Sequence, residues 1–369
     1  VASEARDAAP VPREAGSGVV SERRILLLTR NYPPVRGGME QYSFDLYENL
    51  SRLEDVTLFA NRRGKLGLLR FLPAALLHLL RHRGRYTHVH FGDAALSPLL
   101  VLMRAISKAR LSLTTYGLDV VYRNPLYQRL VPRWVARADA VVCISRATLE
   151  QCVARGIPRE RCVAIPCGID FRRPAPGAVD LATLERRHGF RVEGRRLLFS
   201  IARLVPRKGH AWFVSEVMPL LGEGYLFVLA GAGPERGAIE DAAAKRGLRE
   251  RVVLLGGVAE EEKLGFYDRA DLFVMPNQHV EGDLEGFGIT LIEAAARGLP
   301  SIASRTDGIP DAVIEGGTGY LVAEGDAEAF AERIRSCRLA RDEVRSAAEA
   351  AFSWAELARR YAEVLRGEE

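Results

Sequence analysis

The chain has 369 residues, 48% of them hydrophobic and 27% charged, with a formal net charge of +5. That length and balance suit a globular protein with two ordinary cores and exclude a disordered or fibrous chain. The mild positive excess suits anionic ligands or an anionic surface, but it lacks the dense basic stripe of a nucleic-acid binder, so no nucleic-acid partner is expected.

Residues 1–22, rich in Ala, Glu, Pro, Gly and Ser and without an apolar core segment, read as a flexible extension and not as a signal peptide. Arg24–Thr29 (RILLLT) is a strand, Asn31–Gly38 a turn cluster, and Met39–Leu53 a helix with Phe44, Leu46, Tyr47 and Leu50 inward. The apolar run Leu66–Leu80 is broken by Arg70, Pro73 and His78 and is too short to span a bilayer. The wider stretch Arg62–Arg85 mixes leucines with Arg62, Arg63, Lys65, Arg70, Arg81, Arg83 and Arg85. It fits either an amphipathic helix on an anionic membrane or a helix packed on a sheet with a basic outer face. Further strands are expected at 56–59, 88–91, 111–114 and 140–144, with helical segments between most of them.

The pattern breaks around Cys167–Arg191, with the two halves joined near Asp170–Glu193, and a second series follows with strands at 197–201, 225–230, 252–255, 272–275 and 300–303. Alternating strands and helices predict α/β architecture, a parallel sheet in each half. Two Rossmann-like halves result, with the ligand at the carboxyl ends of strands in a cleft between them. The expected boundaries are 23–172 plus a returning helix at 354–369, and 173–353. The five cysteines, Cys143, Cys152, Cys162, Cys167 and Cys337, lack zinc-type spacing; a reduced, cytoplasmic setting is the simplest reading.

The strongest chemical signal is Glu285-Gly-Phe-Gly-Ile-Thr-Leu-Ile-Glu293. Glu285 lies on a Gly-rich turn and Glu293 about two turns into the helix that follows. Amides near Phe287–Ile289 then form an anion site at the helix start, and the carboxylates suit sugar hydroxyls. A surface helix with an acidic residue at its positive end is the plain alternative. In Ile201–Gly209, Arg203 and Lys208 fall after a strand, where they can neutralise a diphosphate or simply line an exposed loop. The Gly231-Ala-Gly-Pro-Glu235 turn departs from a dinucleotide fingerprint because Pro234 intrudes and Gly237 comes one position late.

These runs, in order, resemble family 4 retaining glycosyltransferases of the GT-B fold over about Arg23–Arg366. The likeness includes the Gly37-Gly38 turn, Ser145, Gly168-Ile-Asp170, Arg203–Gly209, Gly231–Glu235 and the Glu285/Glu293 pair. The resemblance implies that Glu285 contacts donor-sugar hydroxyls and Glu293 the ribose, while Arg203 and Lys208 hold the diphosphate. The amides of Gly37, Gly38, Gly286, Phe287, Gly288 and Ile289 would surround it, with Gly231 nearby and Val258 beside the base. It also implies a nucleotide-sugar substrate with no cofactor and no metal, and a glycan, glycolipid or small-molecule acceptor.

The family often has a His-Gly-x-Asp run; here it is Tyr116-Gly-Leu-Asp119, so a phenol replaces the imidazole on the acceptor side. His90 is the nearby candidate substitute, with a structural histidine on an apolar-flanked strand as the plain alternative. The segment Met275–Glu285 resembles the branch of phosphatidylinositol mannosyltransferases, which favours GDP-mannose over UDP-glucose or UDP-N-acetylglucosamine. An enzyme of that branch is expected in the cytoplasm, peripheral at the inner membrane face. The rival classes are a sugar-nucleotide epimerase, which needs acid/base groups not evident here, and a nicotinamide oxidoreductase, which needs a complete glycine fingerprint.

Overall fold

The computed structural model describes residues 23–35, 37–172 and 177–368, so the extension expected at 1–22 lies outside the described residues. The chain divides into two compact units, one of residues up to Asp170 together with Ser353 onward, the other Phe171–Phe352.

The first unit holds six parallel strands: β1 (Arg24–Thr29), β2 (Asp55–Ala60), β3 (His88–Phe91), β4 (Arg110–Thr115), β5 (Ala140–Cys143) and β6 (Cys162–Ala164). They lie in the order β2-β1-β3-β4-β5-β6. The second unit holds β7 (Arg196–Ile201), β8 (Tyr225–Ala230), β9 (Val252–Gly256), β10 (Leu272–Met275), β11 (Ser301–Ser304) and β12 (Gly319–Val322). Its order is β12-β11-β10-β7-β8-β9, again all parallel. Runs such as Ile25–Leu28 and Leu226–Ala230 are apolar throughout because both faces of each sheet are covered. The short strands β6 and β12 were not evident from sequence: each is a sheet-edge strand of three or four residues without a long apolar run.

Helix α1 (Gly38–Leu50) follows β1, ending three residues before the predicted limit, and α2 (Gly64–Arg81) follows β2. The terminal helix Trp354–Arg366 packs against α1 in the first unit. Its seat explains the Gly168-Ile-Asp170 run. A Cβ on Gly168 would come within 2.9 Å of the Trp354 indole, the Ile169 carbonyl accepts from Trp354 N–H at 3.0 Å, and Asp170 pairs with Arg52 at 3.2 Å.

In the second unit Phe199 stacks on Phe266 with ring centres 4.6 Å apart, and both are fully buried. Truncating Phe199→Ala opens a cavity in this layer and should cost about 3–5 kcal/mol, read by urea denaturation; a loss under about 1 kcal/mol would contradict this packing.

Candidate active site

In the second unit the strand order reverses between β7 and β10, which leaves a crevice at their carboxyl ends where ligands of such sheets bind. The segment after β7 carries Arg203, Arg207 and Lys208; the segment after β10 carries Asn277, Asp283 and Glu285. Side chains from the two meet on one oxygen. Glu285 Oε2 accepts from Lys208 Nζ, from Arg207 Nη1 and, at 2.9 Å, from Asn277 Nδ2. Arg207 Nε also donates to Asp283 Oδ1 at 2.8 Å. Glu285 Oε1 has no protein hydrogen-bond partner among the described residues.

Arg207 and Lys208 are both buried, and buried charges persist only when paired. Burial acts to raise the Glu285 carboxyl, but Lys208 and Arg207 beside it outweigh that and hold it below the usual carboxylate range. Glu285 is therefore ionised at neutral pH. Its lowered value contributes stability above the ordinary carboxylate range, lost as pH falls through the folded-state value. Burial pulls the Lys208 ammonium down, against the opposing pull of Glu285, and Arg203 adds to the downward pull. The Arg203 side chain is exposed, with no hydrogen bond or ion pair among the described residues. Asp283 and Glu285 balance the two buried cations, so Arg203 is the one in surplus for an anionic ligand.

The turn bearing Glu285 is braced by the loop after β11. Asp307 Oδ2 accepts from Glu285 N–H at 3.0 Å, and Gly308 N–H donates to the Glu285 carbonyl at 2.9 Å. Asp307 adopts a left-handed φ of 50°, which Asp tolerates better than most residues. Gly308 admits no side chain, since a Cβ would meet the Gly286 carbonyl oxygen at 2.1 Å. Gly286, Phe287 and Gly288 follow, and the helix Ile289–Ala296 starts with no side-chain cap on its first amides. The Phe287 side chain does not join the site; it is buried and packs edge-on against Phe352.

Glu293 lies in this helix. Its Oε2 accepts from Lys263 Nζ at 3.2 Å and from Tyr267 OH at 3.1 Å, and Oε1 again lacks a protein partner among the described residues. Gly231 serves a close backbone approach: with φ 134°, a Cβ there would strike the Ala202 carbonyl oxygen at 1.8 Å. The Gly231–Glu235 turn then supports the Arg203 segment through Leu204, whose N–H donates to Ala232 and whose carbonyl accepts from Glu235. Val258 is half-buried just beyond β9. Arg203, Lys208, Gly231, Val258, Gly286–Ile289 and both glutamates thus all belong to this unit. Gly37 and Gly38 belong to the other, exposed at the start of α1.

The acceptor-side residues expected from sequence also belong to the first unit, and their surroundings correct the expectation for His90. His90 is fully buried, with Nδ1 2.8 Å from Ser112 Oγ and Nε2 3.0 Å from Thr114 Oγ1. Burial pushes its pKa down to about 3, so it is a neutral core histidine with both nitrogens engaged, not a sugar ligand. Tyr116 packs edge-on against Tyr42 at 5.4 Å, and burial raises its phenol well above the ordinary range, which excludes it as a base. Asp119 accepts from the amides of Tyr116 at 2.8 Å and Ala94 at 3.1 Å. Burial and the neighbouring Asp93 carboxylate push Asp119 up to about 6.

Arg207, Asn277, Asp283, Asp307 and Lys263 were not singled out from sequence. Arg207 adjoins Lys208 in the same basic run, and Asp307 begins an Asp-Gly turn, but neither signal tells a buried partner from a surface loop. Among the described residues no three His, Cys, Asp or Glu side chains are grouped as metal ligands.

Two family models match the chain. Glycosyltransferase Family 4 covers residues 36–173 and Glycosyl transferases group 1 covers residues 183–354. A GDP-mannose-dependent alpha-(1-6)-phosphatidylinositol monomannoside mannosyltransferase from Mycolicibacterium smegmatis is 28% identical over 84% of this chain and 88% of its own. Its namesake from Mycobacterium tuberculosis is 28% identical over 94% and 99%. Among solved structures, HepE from Anabaena in complex with UDP superposes with a TM-score of 0.72 at 19% identity, covering 93% of this chain and 100% of that one. Sucrose-phosphate synthase from Thermosynechococcus elongatus gives 0.72 at 21% identity over 94% and 99%. With the Glu285/Glu293 pair and the buried Lys208 in place, the chain belongs to the family 4 glycosyltransferases of the GT-B fold.

Proposed function

We propose that this enzyme transfers mannose from GDP-mannose, with retention of anomeric configuration, to a hydroxyl of a glycolipid acceptor. The observation that carries the reading is Glu285, fixed through one oxygen by two buried cations and an amide, with its other oxygen left for a ligand. In this reading Glu285 Oε1 accepts from a donor-sugar hydroxyl and Glu293 Oε1 from the ribose. Lys208 and Arg203 neutralise the diphosphate, aided by the amides of Gly286–Ile289, and Val258 lies beside the base. The bond from the anomeric carbon to the phosphate oxygen breaks as the acceptor oxygen bonds to the same face, and the acceptor proton passes to the leaving phosphate oxygen. Fixed cations stabilise that charge as it develops, the role a metal ion fills elsewhere, so the reaction is metal-independent.

The mannose and guanine assignments are supported by the GDP-mannose-dependent activity for which relatives matching 84–94% of this chain are named. The same names favour a mannosylated inositol lipid as acceptor class; in this reading the enzyme meets it at the inner face of the membrane. UDP-glucose is the second donor to test, because a solved neighbour is described in complex with UDP and glucose.

Two expected outcomes follow from the geometry. Lys208→Ala should lower turnover of GDP-mannose about 100-fold or more while the fold persists, since Arg207 still neutralises Glu285. Turnover within a few-fold of wild type would overturn the assignment. Glu285→Ala is a different experiment: it leaves Arg207 and Lys208 without their shared partner and should destabilise the second unit by about 3–5 kcal/mol.

Asp307→Ala should lower kcat about tenfold, the rough value of one lost hydrogen bond, with GDP affinity nearly unchanged. Asp307→Asn keeps an oxygen acceptor for the Glu285 amide and should restore most of the rate. An equal loss in both variants would remove the positioning role.

A further inference from the structure

Glu293 is held in place by a neighbouring helix. Lys263 and Tyr267 stand four residues apart in the helix Glu260–Arg269, so their side chains share one face. That face meets the helix Ile289–Ala296, where Glu293 Oε2 accepts from Lys263 Nζ at 3.2 Å and from Tyr267 OH at 3.1 Å. A helical side chain leans toward the N-terminus of its own helix. The Glu293 carboxylate is thereby carried back toward the first amides of that helix, which no side chain caps. The side chain keeps 25% of its surface exposed, and Oε1 has no protein partner among the described residues.

The two donors cannot easily leave. Tyr267 is fully buried, edge-on to Phe199 at 5.8 Å and to Phe273 at 5.9 Å, so its phenol is fixed by packing. Burial and the Glu293 carboxylate raise that phenol well above the ordinary range, so it stays a donor. Burial acts to lower the Lys263 ammonium, but Glu293 and Glu260 outweigh that and raise it, so it stays charged. A buried phenol takes a partner in any fold; this partner is a carboxylate whose second oxygen is open. Helix packing alone does not call for these bonds. Arg297 Nε donates to Asp268 Oδ1 at 2.6 Å and already ties the same two helices together. The helix that carries both donors also begins just after Val258, so the residue read as lying beside the base and the two that hold Glu293 belong to one continuous segment.

We propose that Tyr267 and Lys263 are positioning residues that aim Glu293 Oε1 at a ribose hydroxyl, and that the three together make the site select ribonucleotides over deoxyribonucleotides. A sugar lacking that hydroxyl leaves Oε1 desolvated without a donor, which is how a polar site rejects an analogue short of one group. A carboxylate free to turn toward solvent would discriminate little; one fixed by a packed phenol cannot turn. The inference rests on the nucleotide-sugar reading of the site and adds the residues that set its choice of sugar.

The test is calorimetric titration of wild type, Tyr267→Phe, Glu293→Gln and the double variant with GDP and its 2′-deoxy and 3′-deoxy forms, and with the same three forms of UDP. Wild type should bind GDP about tenfold or more tightly than at least one deoxy form. Tyr267→Phe should cut that ratio to about threefold or less by weakening GDP alone, and should raise the KM for GDP-mannose more than it lowers kcat. In the Glu293→Gln background the same change should have no further effect, since both act through one carboxylate. Lys263→Met should behave as Tyr267→Phe does, and Lys263→Arg should restore most of the ratio. Equal binding of all three GDP forms by wild type overturns the proposal while leaving the donor assignment standing. Equal weakening of every form by Tyr267→Phe, additive with Glu293→Gln, also overturns it and assigns Tyr267 to packing. Discrimination within the UDP set without binding of GDP overturns the guanine assignment and upholds this one; no binding of either set overturns both.

Discussion

One carboxylate oxygen holding a lysine, an arginine and an amide at once is the interaction on which the C-terminal unit turns. Arg207 and Lys208 are buried where an unpaired cation could not persist, and Glu285 lets them stay charged. In exchange the cations keep Glu285 ionised and fix its rotamer. A carboxylate so held cannot rearrange at the moment a ligand binds or a charge develops. That is the form of preorganisation that makes electrostatic stabilisation effective in a low-dielectric site.

The sheet makes this cluster available. Adjacent strands β7 and β10 run parallel, and their continuations leave the sheet on the side where the order reverses, bringing Lys208 and Asn277 together from segments about seventy residues apart in sequence. Glycines then set the backbone spacing around it. Gly231 lets one loop lie against Ala202, Gly308 lets another lie against Gly286, and Asp307 completes the brace from a left-handed conformation. In the first unit the same economy appears at Gly168, where the missing side chain is the seat of Trp354.

The fold was legible because parallel strands buried on both faces are written as short continuous apolar runs, and ten of them stand out between Gly-rich turns. The edge strands Cys162–Ala164 and Gly319–Val322 were not, because an edge strand needs neither length nor uniform apolarity. At the site, Glu285, Glu293 and Lys208 were legible from motif spacing. Arg207 and Asp307 were not, since their importance depends on what they meet across the sheet. His90 stayed open between sugar ligand and structural histidine for the same reason: only the neighbouring strand shows that Ser112 and Thr114 occupy both of its nitrogens. Helix α2 is the reverse case. Its leucines were plain in sequence, but which of them face the core required the structure.

The central claim, that the Glu285-centred cluster is a nucleotide-sugar site, is tested most directly by calorimetric titration of the intact chain with GDP-mannose, with NAD as control. The account predicts saturable one-site binding of GDP-mannose, weakened about tenfold or more in Lys208→Ala through loss of a charge-assisted phosphate contact, and no heat with NAD. Saturable NAD binding, or GDP-mannose binding that Lys208→Ala leaves unchanged, would contradict it.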